Sequence, residues 1–242
     1  MKIFAPAKLN ICLDILRRTP SGFHEIRTVF VESCDLKDEL EIIETDLPDK
    51  VSIPHPLALK ALKLIKTEYS IKSHVRITIK QNIPFSSGLG GASSDAAAIL
   101  KGLNKLWKLN LSASDLLALA RNLGSDVPFF ITGGTALGAH FGEELTPLPA
   151  ITCVKFKILP RSSWPSLPKN INPDKKTAQM YASLDLKACG KNAKKTDLLI
   201  KAIKSADRET ILNSIHNDFE TLIPVPKNTH LSGSGPAVFS AN

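Results

Sequence analysis

Residues 84–98 constrain the fold more than any other stretch. They read Pro84-Phe85-Ser86-Ser87-Gly88-Leu89-Gly90-Gly91-Ala92-Ser93-Ser94-Asp95-Ala96-Ala97-Ala98. Glycine lacks a Cβ, so the backbone can turn its N–H groups toward a ligand and approach it closely. Ser93 and Ser94 are good helix N-caps. Beyond them Ala96, Ile99, Leu100, Leu103, Leu106 and Trp107 recur at helical spacing on one face. Val75, Ile77 and Ile79 alternate just upstream, as a strand does. A strand, a glycine loop and the N-terminus of a buried helix present free N–H donors and a partial positive charge, which suits phosphate. No lysine follows the last glycine as a Walker A loop requires, and the glycine spacing is not that of a dinucleotide fold. A serine-capped glycine turn with no ligand fits the same residues.

The chain has 242 residues, enough for one large or two modest domains. Hydrophobic residues make up 43% and charged residues 22%, which is globular usage. No apolar run approaches the length of a membrane span, and Lys8 and Asp14 interrupt any signal-peptide core. Cys12, Cys34, Cys153 and Cys189 lack metal-ligand spacing, so free thiols in a reducing cytoplasm are expected. The net charge of +8 is uneven: residues 1–150 carry +1 and residues 151–242 carry +7. A basic second half suits a polyanionic small molecule, a lysine-rich surface or nucleic acid. No nucleic-acid motif or aromatic–basic interleaving supports the last.

Residues 3–15 read as a strand with Leu9, Ile11, Leu13 and Ile15 on one face. Lys8, Asn10, Cys12 and Asp14 share the other, either facing solvent or with Lys8 and Asn10 reaching one ligand. Pro20, Ser21 and Gly22 make a turn that presents Phe23 and His24. An extended run through Val29 and Val31 follows, and Leu40 and Ile42 suggest another strand. Residues 57–66 read as a helix with Ala58, Ala61, Leu62 and Ile65 inward. Residues 114–123 read as a helix closed by Gly124. Asp126 then stands before Pro128, as a helix N-cap or as a loop carboxylate able to act as a base. Gly133, Gly134 and Gly142 punctuate a hairpin. Val154, Phe156 and Ile158 alternate as a strand, and helices are expected near 176–186, 195–205 and 207–216. The stretch Ser232-Gly233-Ser234-Gly235 is a second glycine turn.

These residues resemble the GHMP kinase superfamily along nearly the whole chain. The resemblance rests on Ala5-Pro6-Ala7-Lys8-Leu9-Asn10 with Gly22-Phe23-His24, and on Ile83-Pro84 through Ala97. It rests also on Gly124-Ser125-Asp126-Val127-Pro128-Phe129-Phe130 with Gly133-Gly134-Thr135-Ala136, and on Ser232-Gly233-Ser234-Gly235. Within the superfamily the match is to the branch that phosphorylates a cytidine-diphosphate-linked methylerythritol in nonmevalonate isoprenoid biosynthesis. The resemblance implies an α+β, two-lobed fold with the active site in the cleft between an N-terminal domain, 1–150, and a shortened C-terminal one, 151–242.

It also implies a reaction: ATP, with Mg2+, phosphorylates the 2-hydroxyl of the methylerythritol moiety. Pro84, Ser87, Gly88, Leu89, Gly90, Gly91, Ala92, Ser93 and Ser94 would cradle the nucleotide, with Ser94 a candidate magnesium ligand. Lys8 and Asp126 would be catalytic, Asp126 taking the hydroxyl proton. Asn10, Phe23, His24, Thr177 and Tyr181 would bind the substrate and its cytidine base. This chain has Phe23 where the family usually has tyrosine, and Pro56 in place of an asparagine near the adenine. Another GHMP kinase, of the mevalonate or homoserine type, and a non-catalytic nucleotide- or RNA-binding protein are the competing readings. Phe23 and His24 argue against the first, since those substrates carry no base.

Overall fold

The computed structural model describes the backbone of residues 1–242 and every side chain except that of Cys34. The chain divides into two compact units. The first comprises Met1–Ala7, Leu36–Phe85 and Gly90–Gly133; the second comprises Lys8–Asp35, Ser86–Leu89 and Gly134–Asn242. Strands β1 (Lys2–Arg18) and β2 (His24–Thr45) each run from one unit into the other. The break expected between Val31 and Leu40 is absent, and β2 is one strand of 22 residues.

In the first unit the C-terminal part of β2 pairs antiparallel with β4 (His74–Lys80), from Glu39↔Lys80 to Thr45↔His74. The two-residue β3 (Lys50–Val51) adds in parallel on β4. Strand β4 alternates cleanly, burying Val75, Ile77 and Ile79 and exposing the residues between them. Helix α1 (Pro56–Glu68) starts with proline at its first position, and the His55 ring accepts from the Ala58 N–H at 3.0 Å. It buries Ala58, Ala61, Leu62 and Ile65, the face its spacing predicts.

Helix α2 (Gly91–Leu106) packs against α1 and α4 (Val127–Thr132). Its small residues Ala96, Ala97, Ala98 and Gly102 are buried and allow close approach. Helix α3 (Ala113–Arg121) opens with a capping box between Ser112 and Asp115.

In the second unit β5 (Thr135–Ala139) and β6 (Glu144–Leu148) form the expected hairpin, with β5 also pairing with β2 through Thr28↔Gly138 to Val31↔Thr135. Strand β7 (Phe156–Ile158) pairs with β10 (Val238–Ala241), which pairs with β9 (His230–Leu231). Helices α5 (Lys176–Ala182), α6 (Ala193–Ser205) and α7 (Arg208–Ser214) fall where the sequence places them. Leu13, Ile15, Met180, Phe219, Leu231 and Val238 lie in one core cluster. Among the described residues no helix is long and apolar enough to cross a membrane.

The short strand β8 (His216–Asn217) lies parallel to β1, with Cys12 opposite His216. Side chains from α6 and β8 meet the polar face of β1 here. Asp14 is fully buried there, accepting from the Thr196 hydroxyl at 2.6 Å and lying 2.9 Å from His216 Nε2. The same burial holds the Cys12 thiol up at about 12. Replacing Asp14 with alanine leaves buried partners unpaired. Asp14→Ala should cost about 3 kcal/mol in urea unfolding followed by circular dichroism, the cost of leaving buried hydrogen-bonding partners unsatisfied.

Candidate active site

The glycine loop changes backbone hand at alternate positions. Ser86, Gly88 and Gly90 take φ of 56°, 89° and 75°. Gly90, not Ser93 or Ser94, occupies the N-cap of α2, and the two serines lie within its first turn. A left-handed Gly90 sets the helix entry, so no serine cap is made. The Ser94 hydroxyl is buried without a hydrogen-bond partner. The N-terminus of α2 thus keeps its backbone donors free of side-chain caps.

Beside this helix start the first unit buries two carboxylates. Asp38 Oδ1 accepts from the N–H groups of Asn82 and Ile83 at 2.5 and 2.6 Å, holding the chain that leads into the loop. Asp95 Oδ2 lies 3.1 Å from His55 Nε2, and since His55 Nδ1 accepts at α1, Nε2 is the donor. Burial pushes Asp38 up to about 6 and raises Asp95 as well. Asp126 stands at the N-cap position of α4, yet its side chain makes no capping bond there. The capping role is therefore not the one this carboxylate performs.

In the second unit the middle of the loop meets the turn at 232–235. A Cβ on Gly88 would lie 2.2 Å from the Ser232 carbonyl oxygen and 3.1 Å from the Gly235 nitrogen. A Cβ on Gly233 would lie 3.0 Å from the Gly88 oxygen and 3.4 Å from both Asn10 Oδ1 and Lys8 Nζ. Three bonds stitch the segments: Lys8 N–H to Leu89 O at 2.9 Å, Ala237 N–H to Ser87 O at 3.0 Å, and the Ser232 hydroxyl to Gly88 O at 3.2 Å. Asn217 Nδ2 supports the turn from behind, donating to the carbonyls of Leu231 and Gly233 at 3.0 and 2.9 Å.

Lys8 and Asn10, projecting from β1 into this place, are buried rather than solvent-facing. Lys8 Nζ donates to Asn10 Oδ1 and lies 5.2 Å from the centroid of the Phe30 ring. Asn10 Nδ2 donates to Thr28 at 2.8 Å, whose hydroxyl donates to the Cys12 carbonyl at 2.6 Å. This relay fixes the amide with its oxygen toward the ammonium. A cation, an oriented amide and two apposed glycine turns make a place suited to an anion.

A separate aromatic group lies in the same unit. His24 stacks on Tyr181, with ring centroids 5.0 Å apart and planes at 23°. Tyr181 is braced edge-on by Phe219 at 4.9 Å. Phe23 is 65% exposed and lies against Phe141, 5.3 Å between centroids. The two neighbours assigned together to the cytidine base thus meet different partners. Burial and the nearby Arg18 charge lower the His24 pKa, which favours a neutral ring that can donate and accept. Thr177 is exposed on α5, one turn before Tyr181.

Sequence reasoning missed Lys176, Asn217 and Thr28. Lys176 sits in the run Asp174-Lys175-Lys176, which reads as a solvated charge cluster. Asn217 and Thr28 act through partners far away in sequence.

Residues 56–134 match the family model described as GHMP kinases N terminal domain. A 4-diphosphocytidyl-2-C-methyl-D-erythritol kinase of Geobacillus thermodenitrificans is 36% identical over 99% of this chain and 87% of its own length. One of Caldicellulosiruptor saccharolyticus is likewise 36% identical, with the same coverage. The crystal structure of a 4-(cytidine 5'-diphospho)-2C-methyl-D-erythritol kinase superposes with a TM-score of 0.76 at 28% identity, covering 99% of this chain and 89% of that one. A homoserine kinase from Cytophaga hutchinsonii reaches the same TM-score at 18% identity, a likeness of fold alone.

Gly88→Ala should separate loop and turn, because the clashing atom is backbone and the residue must also hold a positive φ. Calorimetric titration with ATP should show affinity at least tenfold weaker, about 1.4 kcal/mol; unchanged affinity would mean the contact is immaterial to binding. The α+β fold, the glycine loop and the similarity along nearly the full chain agree: the chain belongs to the 4-diphosphocytidyl-2-C-methyl-D-erythritol kinases of the GHMP kinase superfamily.

Proposed function

We propose that this chain transfers the γ-phosphoryl group of ATP to the 2-hydroxyl of 4-diphosphocytidyl-2-C-methyl-D-erythritol, giving the 2-phosphate and ADP in isoprenoid biosynthesis. The observation that carries this reading is the meeting of Gly88, the 232–235 turn, Lys8 and Asn10 in one buried place. Kinases of this family use ATP as co-substrate. Phosphoryl transfer depends mainly on positioning and on stabilising charge, which such a rigid, cationic cradle supplies.

In this reading the loop 84–94 holds the ATP phosphates. Asp126 accepts the proton of the attacking hydroxyl as the new P–O bond forms. A carboxylate is a weak base toward an alcohol, so its help is greatest when proton transfer keeps pace with bond formation. Lys8 stabilises the negative charge that develops on oxygen, and Asn10 orients the acceptor. Phe23, His24, Thr177 and Tyr181 are assigned to the cytidine end, where a flat ring and a neutral imidazole suit a base. Residues 1–150 carry the nucleotide and catalytic groups in this assignment, and residues 151–242 complete the substrate site.

The residues present fit a magnesium ion carried by the nucleotide rather than one caged by protein. Among the described residues no cluster of three His, Cys, Asp or Glu side chains forms a metal cage. Magnesium bound through substrate phosphates needs only one or two protein ligands, and the unpartnered Ser94 hydroxyl at the start of α2 fits that demand. When bound it would neutralise phosphate charge. A cytoplasmic location follows from this metabolic role.

The first test is ADP release with ATP, magnesium and the cytidylyl substrate, with mevalonate and homoserine in parallel. Turnover with the cytidylyl substrate alone is expected; turnover with mevalonate or homoserine instead would overturn the assignment. Asp126→Ala should lower kcat by roughly a thousandfold, within the usual span for a general base, while ATP affinity stays within about twofold. Phe23→Ala should raise KM for the cytidylyl substrate about tenfold, the effect of one lost stacking contact. A rise confined to the KM for ATP would place Phe23 elsewhere.

A further inference from the structure

Lys176 lies at the N-terminus of α5 and is 2% exposed. Its Nζ donates to the carbonyl of Gly235, the residue whose nitrogen borders Gly88. The neighbouring chain is tied to the same loop, since the Ser86 hydroxyl donates to Pro173 O at 3.1 Å. Lys176 and Lys8 therefore both bring an ammonium to the second glycine turn, Lys176 at Gly235 and Lys8 beside Gly233. Both lysines are buried, and the partner that Lys176 meets is a carbonyl rather than a carboxylate.

A buried lysine held by a carbonyl alone is poorly compensated when charged. Burial first, and repulsion from the Lys8 charge second, lower it to about 7. Lys8 on β1 is a charged group that bears on it. The loop 86–89 and the turn 232–236 bring only backbone, apolar and hydroxyl groups. On its own side Asp174 and Lys175 are exposed.

We propose that Lys176 is a second, protonation-controlled cation of the polyphosphate site: it takes up a proton when a nucleoside triphosphate settles on the Gly88 loop, and with Lys8 sets the charge the site presents. This rests on the reading of that loop as the triphosphate cradle. The physical cause is direct. A polyanion beside the two turns attracts positive charge, offsets the Lys8 repulsion and raises the proton affinity of the buried amine. Lys176 is a positioning residue, holding the turn through Gly235 and changing its charge as the anion arrives.

The sign follows from linkage. The free amine is mostly protonated at pH 6, about half protonated at pH 7 and mostly neutral at pH 8. Binding that raises its proton affinity about a hundredfold takes up little proton at pH 6, about half a proton at pH 7 and more at pH 8. The same linkage makes the charged form the tighter binder.

The experiment is calorimetric titration of the full chain with magnesium and a non-hydrolysable ATP analogue. It is run at pH 6, 7 and 8, in two buffers of different ionisation enthalpy. Lys176→Arg should keep tight binding and lose the proton uptake, because arginine stays charged throughout. Lys176→Met should lose the uptake and bind roughly a hundredfold more weakly at pH 6, where the unaltered amine is charged and methionine is not, the penalty shrinking to about tenfold at pH 8. A merely structural strut would leave no proton signature. Binding by the unaltered chain without uptake, or uptake retained by Lys176→Arg, overturns this role and leaves the triphosphate reading standing. Absence of analogue binding overturns both.

Discussion

The approach of Gly88 to the turn at Ser232–Gly235 is the contact on which the candidate site depends. Any side chain at Gly88 would place an atom 2.2 Å from a backbone oxygen, and backbone cannot swing aside as a flexible side chain can. The contact brings together segments 144 residues apart, through the Ser232 hydroxyl and the Gly88 carbonyl. Lys8 enters the same assembly through its own N–H, bonded to Leu89 O. Position and charge are thus fixed together: the strand that aims the Lys8 ammonium also anchors the loop. A site for phosphoryl transfer needs this rigidity, since small displacements of aligned groups cost rate steeply.

In the first unit, the chain that leads into the loop is anchored by buried acid groups. Asp38 binds two successive N–H groups through one oxygen, while its other oxygen and Asp95 Oδ1 lack partners. A proton shared between the two carboxyls satisfies both orphans, and it agrees with the raised Asp38 and Asp95 values. Raising a carboxyl above its ordinary value favours the folded state while it is protonated. That contribution is present at low pH and is lost as pH rises through about 6. The start of α2 is therefore held by a device that behaves oppositely to an ordinary surface ion pair.

What was legible in the sequence was local. The inward face of α1 could be read residue by residue because one period governs it. The glycine loop, the 135–148 hairpin and the three C-terminal helices carry their punctuation with them. The polar side of β1 was ambiguous, solvent-facing or ligand-facing, for a nonlocal reason. Lys8, Asn10 and Asp14 look solvent-facing until partners far along the chain cover them, Thr28 and Ser232 near Asn10, Thr196 and His216 near Asp14. The Ser93–Ser94 cap failed because the left-handed Gly90 already sets the helix entry. His24 was legible as an aromatic near a turn, but its stacking on Tyr181 was not, since 157 positions separate them.

Two buried lysines beside two glycine turns suit the arrival of an anion. The Lys176 ammonium taken from water loses hydration that a carbonyl replaces incompletely. The Lys8 charge also raises the cost of charging Lys176. A protein selected for stability alone would place methionine or leucine at such positions. Retaining amines there sets up a site whose electrostatic strain is relieved when phosphate oxygens arrive, and binding then stabilises the fold by mass action. A neutral amine at Lys176 lowers that strain in the empty state without giving up the charge in the filled one. This is why the second lysine is better suited to the place than an arginine, which cannot shed its proton while the site waits for its ligand.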